Sequence, residues 1–210
     1  MIVEAHTTPA FKEKLSKASL ILADGKPVAI ACNWLHNKKQ ERIAGMDFLP
    51  AILDNANNLK ARVFFYGSTD EVLDKIKEKI HDQYPDVTFA GAISPPFRPL
   101  SPIEIEEHIT QINQSGANFI FIALGCPKQE NWMATHYKSI EGILLGVGGA
   151  VPVFAGTQKR SPVWMQNLAL EWLYRLLQEP RRMFKRYLYT NSYYIYLLFK
   201  AKFKGGTIKP

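Results

Sequence analysis

From residue 20 onward, short apolar runs alternate with stretches whose apolar residues recur every three or four positions. The runs at 20–23, 63–66, 87–90, 119–124 and 143–147 read as strands, and the stretches at 46–57, 71–83, 102–113 and 129–137 carry helical spacing. This alternation predicts an α/β fold, a Rossmann-like parallel sheet flanked by helices. Phe119-Ile-Phe-Ile-Ala-Leu is apolar at every position, as expected of a strand covered on both faces. Asp70 is expected to cap the helix at 71–83, in which Ile76 and Ile80 lie a four-residue step apart on one face. Ser101 before Pro102, with Glu104 at the third helical position, predicts a capping box.

Ligands of parallel α/β sheets bind beyond the carboxyl ends of the strands. The residues that follow four of the five runs are polar and glycine-rich: Asp24-Gly25-Lys26-Pro27, Gly67-Ser68-Thr69, Gly125-Cys126-Pro127-Lys128-Gln129-Glu130 and Gly148-Gly149. They predict one shared crevice, whose glycine turns and helix N-termini offer amides to phosphate oxygens. The same glycines also fit ordinary turn chemistry. Gly146-Val147-Gly148-Gly149 is not a dinucleotide fingerprint, because Val151 stands where its third glycine would be, and no Walker lysine pattern occurs.

Asp24 is the candidate for chemistry: a carboxylate at a strand end, exposed by a following glycine, can take a proton from an incoming hydroxyl. An Asp before Gly is equally a turn former. Lys128 and Gln129 open a helix after Pro127, where a cation can meet a phosphate and an amide a sugar hydroxyl; they also suit a solvated first turn. Arg42 and Arg160 can each clamp a phosphate with two parallel hydrogen bonds, or lie solvated in a loop. His6, His36, His81, His108 and His136 form no ligand-like cluster, and no pair of acids has metal spacing. Cys32 and Cys126 form neither a CxxC nor a disulfide framework. A metal-independent site without cofactor is expected.

Charge changes the picture at the C-terminal end. Residues 171–210 hold nine Lys or Arg against two acids and so carry the whole net charge of +7, whereas residues 1–170 are balanced. Trp172, Tyr174, Phe184, Tyr187, Tyr189, Tyr193, Tyr194, Tyr196, Phe199 and Phe203 are interleaved with that charge. Such a composition suits an anionic lipid surface. The run at 193–199 is far below the roughly 20 apolar residues that span a bilayer, and the opening residues lack a secretory pattern. The expectation is a cytoplasmic protein, peripheral at the inner face of the membrane. An α/β domain at 1–178 and a basic aromatic tail at 179–210 follow, with the membrane role limited to residues after Pro180 and with Trp172, Leu173 and Leu176 as core. Basic aromatic segments also suit nucleic acid, but the charge is confined to the tail and no such motif is present, so no nucleic-acid partner is expected.

Seven segments share an order with one known family: Ala23-Asp24-Gly25, Arg42-Ile-Ala-Gly-Met-Asp47, Val63-Phe-Phe-Tyr-Gly67, Pro95-Pro-Phe-Arg-Pro-Leu100, Leu124-Gly-Cys-Pro-Lys-Gln-Glu130, Gly146-Val-Gly-Gly-Ala150, and Leu170-Glu-Trp-Leu-Tyr-Arg-Leu176 with Glu179-Pro-Arg-Arg182. Over about residues 9–191 the chain resembles the WecG/TagA/CpsF glycosyltransferases, glycosyltransferase family 26. The resemblance implies an inverting transferase that moves a hexose or N-acetylhexosamine, such as N-acetylmannosamine, from a UDP-sugar to a polyprenyl-diphosphate-linked sugar in surface polysaccharide synthesis. It makes Asp24 the general base and puts Arg42 and Gln129 in the pocket; together with these, the strand-end turns and loop cations make Gly67, Lys128, Glu130, Gly148, Gly149 and Arg160 the expected substrate-binding residues. Arg181, Arg182 or Arg186 would supply positive charge to the leaving diphosphate, with the tail folding over the crevice at the membrane. Family members begin with another strand, which is expected to be missing here and to leave a sheet edge exposed. Val151-Pro152 stands where the family has Phe-Asp, so a non-catalytic UDP-sugar-binding relative in an assembly complex is the alternative. Donor sugar, acceptor glycan and homo-oligomerisation are left open.

Overall fold

A computed structural model describes residues 1–203. Its elements, in order, are α1 (Ile2–Thr7), α2 (Pro9–Leu15), α3 (Lys26–His36), α4 (Gly45–Asn58), β1 (Arg62–Gly67), α5 (Asp70–Gln83), β2 (Thr88–Ile93) and α6 (Pro102–Gln114). They continue with β3 (Phe119–Ala123), α7 (Lys128–His136), β4 (Ile143–Gly146), α8 (Ala150–Phe154), α9 (Val163–Asn167), α10 (Glu171–Gln178) and α11 (Pro180–Phe203). Contacts divide the chain into two units. One comprises residues 13–19 and 45–159; the other comprises residues 1–12, 20–44 and those from Arg160 onward.

The unit holding residues 45–159 is the α/β sheet that the apolar runs predict. Its four strands are parallel, in the order β2-β1-β3-β4. Successive side chains of a strand point to opposite faces. Thus Val63, Phe65 and Phe121 enter one core with Leu49, Leu53, Ile76, Ile80 and Val151, while Phe64, Tyr66, Ile120 and Ile122 enter a second with Ile112 and Ile140. Phe65 stacks on Phe121 with ring centroids 4.8 Å apart. Each such fully buried side chain contributes about 1.5–3 kcal/mol of transfer free energy, so the double-sided apolar strands are the reason that helices cover both faces.

The capping box forms as expected: Ser101 Oγ accepts from the Glu104 amide while Glu104 Oε2 accepts from the Ser101 amide at 2.8 Å. Two expectations are corrected. Asp70 is the first residue inside α5, and Thr69 occupies the cap position, without a side-chain cap bond. The run at 20–23 is not a strand: Leu20 is 71% and Ile21 55% exposed, and its carbonyls accept only a local bond from Asp24 N–H to Leu22 and one from Ile43 N–H to Ala23, each 3.0 Å. An apolar run becomes a strand only where a neighbour supplies a hydrogen-bonding ladder, and none of the described residues does so here. Asp24 therefore follows an extended segment rather than a strand end.

In the other unit, α11 packs against α1, α3 and α10. The contacts include His6 against Tyr193, Trp172 edge-on to Tyr187, Tyr194 Oη donating to the Pro27 carbonyl at 3.1 Å, and Lys202 Nζ 4.8 Å above the Trp34 ring. α10 contributes no fully buried residue, so Trp172, Leu173 and Leu176 are partly exposed rather than core.

Gly67 closes β1 at φ +108°, and a Cβ there would lie 2.7 Å from the carbonyl carbon and oxygen of Ala123. Both the conformation and the space exclude other residues. Gly67→Ala is expected to lower unfolding stability by about 2–3 kcal/mol in urea denaturation; a change below about 0.5 kcal/mol would contradict this packing.

Candidate active site

β2 lies on one side of β1 and β3 on the other, so the chain reverses direction across the sheet between them. In parallel sheets the crevice outside the carboxyl ends at such a reversal is where ligands bind. The geometry there is built from Gly67, the turn at Gly125 and the first turn of α7. Ser94 Oγ donates to the Ser68 carbonyl at 3.0 Å and joins the ends of β1 and β2.

α7 begins at Lys128, which is exposed, and the Gln129 amide donates to the Gly125 carbonyl at 2.9 Å. Gln129 and Glu130 are each only 8% exposed. Gln129 Nε2 donates to Glu130 Oε1 at 3.0 Å, and Gln129 Oε1 and Glu130 Oε2 are buried with no donor among the described residues. An unmet buried acceptor costs about 1–3 kcal/mol, and native structures tolerate few of them. Two such atoms side by side suit a ligand that brings O–H or N–H donors. Gly148, at φ +46°, is brought against this pair: a Cβ there would lie 3.1 Å from Gln129 Oε1, and one at Gly146 would lie 3.3 Å from Gln129 Nε2. Gly149 is exposed beside Gly148 at the start of α8. Lys14 Nζ donates to Asn131 Oδ1 at 2.9 Å and adds a cation to the first turn of α7.

Beyond β2, the segment 95–100 carries Phe97, 90% exposed, and Arg98, which grips Glu104 through two hydrogen bonds of 2.9 and 2.6 Å. The Arg98 guanidinium, aided by the Ser101 amide, pulls the Glu104 carboxyl down to about 2. Tyr66, one residue before Gly67, meets His108 Nδ1 at 3.1 Å and stacks on Trp132. Burial pushes its phenol up to about 12, so it stays protonated at physiological pH.

Asp24, Arg42 and Arg160 belong to the other unit. Asp24 is exposed, next to Gly25, which caps α3. Arg42 Nε donates to the Asp24 carbonyl at 2.9 Å, and Arg42 Nη2 pairs with Glu171 Oε2 at 2.5 Å. Arg42 thus joins the candidate base to the first residue of α10. Glu171 was not singled out by sequence reasoning, although it is one of only two acids among residues 171–210, and that rarity is the signal that marks it.

Within the tail, Arg181, Arg182 and Arg186 are exposed, and Arg182 is paired with Glu179 at 2.7 Å. Tyr193 and Tyr194 are engaged by α1 and by Pro27, whereas Phe184, Leu188, Ile195 and Phe199 are more than half exposed. Those four recur at helical steps and share one stripe. Lys204 and Lys209 lie outside the described residues. Among the described residues no helix is long and apolar enough to cross a membrane, and no three His, Cys, Asp or Glu side chains gather as cation ligands.

Doubly covered parallel strands with a polar crevice at the switch point define a Rossmann-like α/β domain with a candidate ligand site. The profile of the glycosyl transferase WecG/TagA/CpsF family matches residues 1–207, and the chain belongs to that family. It is 33% identical over 204 residues, 95% of its length and 76% of theirs, to proteins of Staphylococcus aureus strains MW2 and NCTC 8325 / PS 47, each named N-acetylglucosaminyldiphosphoundecaprenol N-acetyl-beta-D-mannosaminyltransferase.

Proposed function

We propose that the chain is an inverting glycosyltransferase that moves an N-acetylhexosamine or hexose, N-acetylmannosamine foremost, from a UDP-sugar to a polyprenyl-diphosphate-linked sugar in surface polysaccharide synthesis. The observation that carries this reading is the 33% identity, along 95% of the chain, to relatives whose name states transfer of an N-acetyl-beta-D-mannosaminyl group to N-acetylglucosaminyldiphosphoundecaprenol. In the proposed step the acceptor hydroxyl oxygen attacks the anomeric carbon from the side opposite UDP. The new C–O bond forms as the bond to the diphosphate breaks, the configuration inverts, UDP leaves with the bonding pair, and the proton passes to the Asp24 carboxylate.

Gln129 Oε1 and Glu130 Oε2 suit the donor's hydroxyl or N–H groups, and the amides around Gly67, Gly148 and Gly149 suit its phosphates. Positive charge for the leaving diphosphate would come from Lys128, Arg160, Arg181, Arg182 and Arg186 rather than from a metal ion. The exposed apolar stripe of α11, flanked by basic residues, suits an anionic membrane surface and supports a reaction at the inner face of the membrane, where a lipid-linked acceptor would lie. A second reading, a UDP-sugar-binding partner without turnover, is favoured by Val151, which is fully buried where the family has Phe-Asp; UDP binding without product would select it.

Asp24→Asn is expected to lower kcat by at least about 100-fold while UDP affinity, read by calorimetry, stays within about threefold; preserved turnover would remove Asp24 from the mechanism. Excess chelator should leave transfer unchanged, and a strict requirement for a divalent ion would overturn the metal-independent step. A chain ending at Pro180 should lose its binding to anionic vesicles in flotation. Persistent flotation, or retention of the full chain on single-stranded DNA instead of vesicles, would contradict the assignment of the tail to lipid.

A further inference from the structure

Asp24 lacks the support that a strand would give it. The segment before it is extended and exposed at Leu20 and Ile21; its carbonyls accept one local bond, from the Asp24 amide to Leu22, and one from Ile43 to Ala23. A carboxylate that must meet a hydroxyl in one geometry needs its backbone fixed by other means, since a misplacement of about 1 Å costs on the order of 100-fold in rate.

One fixing element is a chain of side chains within the same unit. Arg42 Nε holds the Asp24 carbonyl at 2.9 Å, and its Nη2 is held in turn by Glu171 Oε2. The side chains of Arg42 and Glu171 are 12% and 21% exposed, so the pair is shielded rather than solvated. Glu171 Oε1 accepts from Ser161 Oγ at 3.3 Å, and the Ser161 carbonyl accepts from Gln166 Nε2 at 2.7 Å. Ser161 is itself buried. Both carboxylate oxygens are therefore committed, and the guanidinium is held from two directions in one plane, the arrangement in which arginine is most rigid.

We infer that Glu171 is a positioning residue for the transfer step: through Arg42 it fixes the backbone of Asp24 and thereby aims the base. This rests on the reading of Asp24 as the base. Without Glu171, Arg42 Nη2 loses its anion, the guanidinium is free to rotate off the Asp24 carbonyl, and the carboxylate samples unproductive positions. Donor binding should be little altered, because the loss falls on the step in which the proton moves. The docking of α10 onto the 160–166 segment would then be a condition for turnover.

A double-mutant cycle on the full chain tests this, using Arg42→Ala, Glu171→Ala and both together, with a UDP-sugar donor and a lipid-diphosphate-sugar acceptor. Glu171→Ala is expected to lower kcat about tenfold or more with donor KM within about twofold, and the double variant to lose no more than Arg42→Ala alone. Should Glu171→Ala fail to melt cooperatively, Glu171→Gln, which keeps the volume and an acceptor oxygen, replaces it, with an expected loss of about threefold that is again non-multiplicative. A kcat within about twofold of the parent, a loss confined to KM, or multiplicative losses in the double variant would overturn the inference alone. A parent chain that transfers no sugar would overturn the transferase reading and this inference with it.

Discussion

β1 runs between β2 and β3, so Val63 and Phe65 face one layer of helices and Phe64 and Tyr66 face the other; a polar group at these positions needs a partner, as the Tyr66 hydroxyl has in His108. That double burial sets the order of the sheet and requires a helix layer on each side. It also fixes where β1 ends. At Gly67 the chain passes so close to Ala123 that no side chain fits, and this close approach brings the ends of β1 and β3 together at the switch point. The glycines and the first turn of α7 are arranged around that edge, and the buried Gln129–Glu130 pair with its two unmet acceptors is the part of it best suited to a polar ligand.

Strands that are apolar at every position were legible in the sequence because burial on both faces removes the alternation that would make a run ambiguous. The capping box at Ser101 was legible because its residues act on their own backbone. The run at 20–23 gave the same hydrophobic signal as a strand and is not one, because strand formation depends on a partner that the run itself does not encode. Asp70 was read as a cap one residue too late, since Thr69 and Asp70 both suit that place. The family's glycine and Pro-Lys-Gln-Glu turns were visible, but the hydrogen bond that orients Gln129 on Glu130 was not. The role of Glu171 was hidden for a similar reason: an ion pair spanning more than a hundred residues has no local pattern.

The basic tail has two kinds of residue. Tyr193, Tyr194, Trp172 and Lys202 are taken up in packing within their own unit, with burial and Cys32 pushing the Tyr194 phenol up to about 12. The stripe through Phe184, Leu188, Ile195 and Phe199 is left uncovered beside exposed arginines. A segment that combines an apolar stripe with cations is what a peripheral contact with anionic lipid asks for. It also suits an enzyme whose acceptor carries a polyprenyl chain, because two weak attachments to one surface reinforce each other through effective concentration.

The central claim is sugar transfer to a lipid-linked acceptor. Its most direct test is to incubate the purified chain, with anionic vesicles, with a panel of UDP-sugars and a polyprenyl-diphosphate-N-acetylglucosamine acceptor, and to follow released UDP and the lipid product by mass spectrometry. The account predicts stoichiometric UDP and a lipid heavier by one sugar residue, with N-acetylmannosamine the preferred donor. A folded chain that binds UDP and yields no heavier lipid with any donor would contradict it.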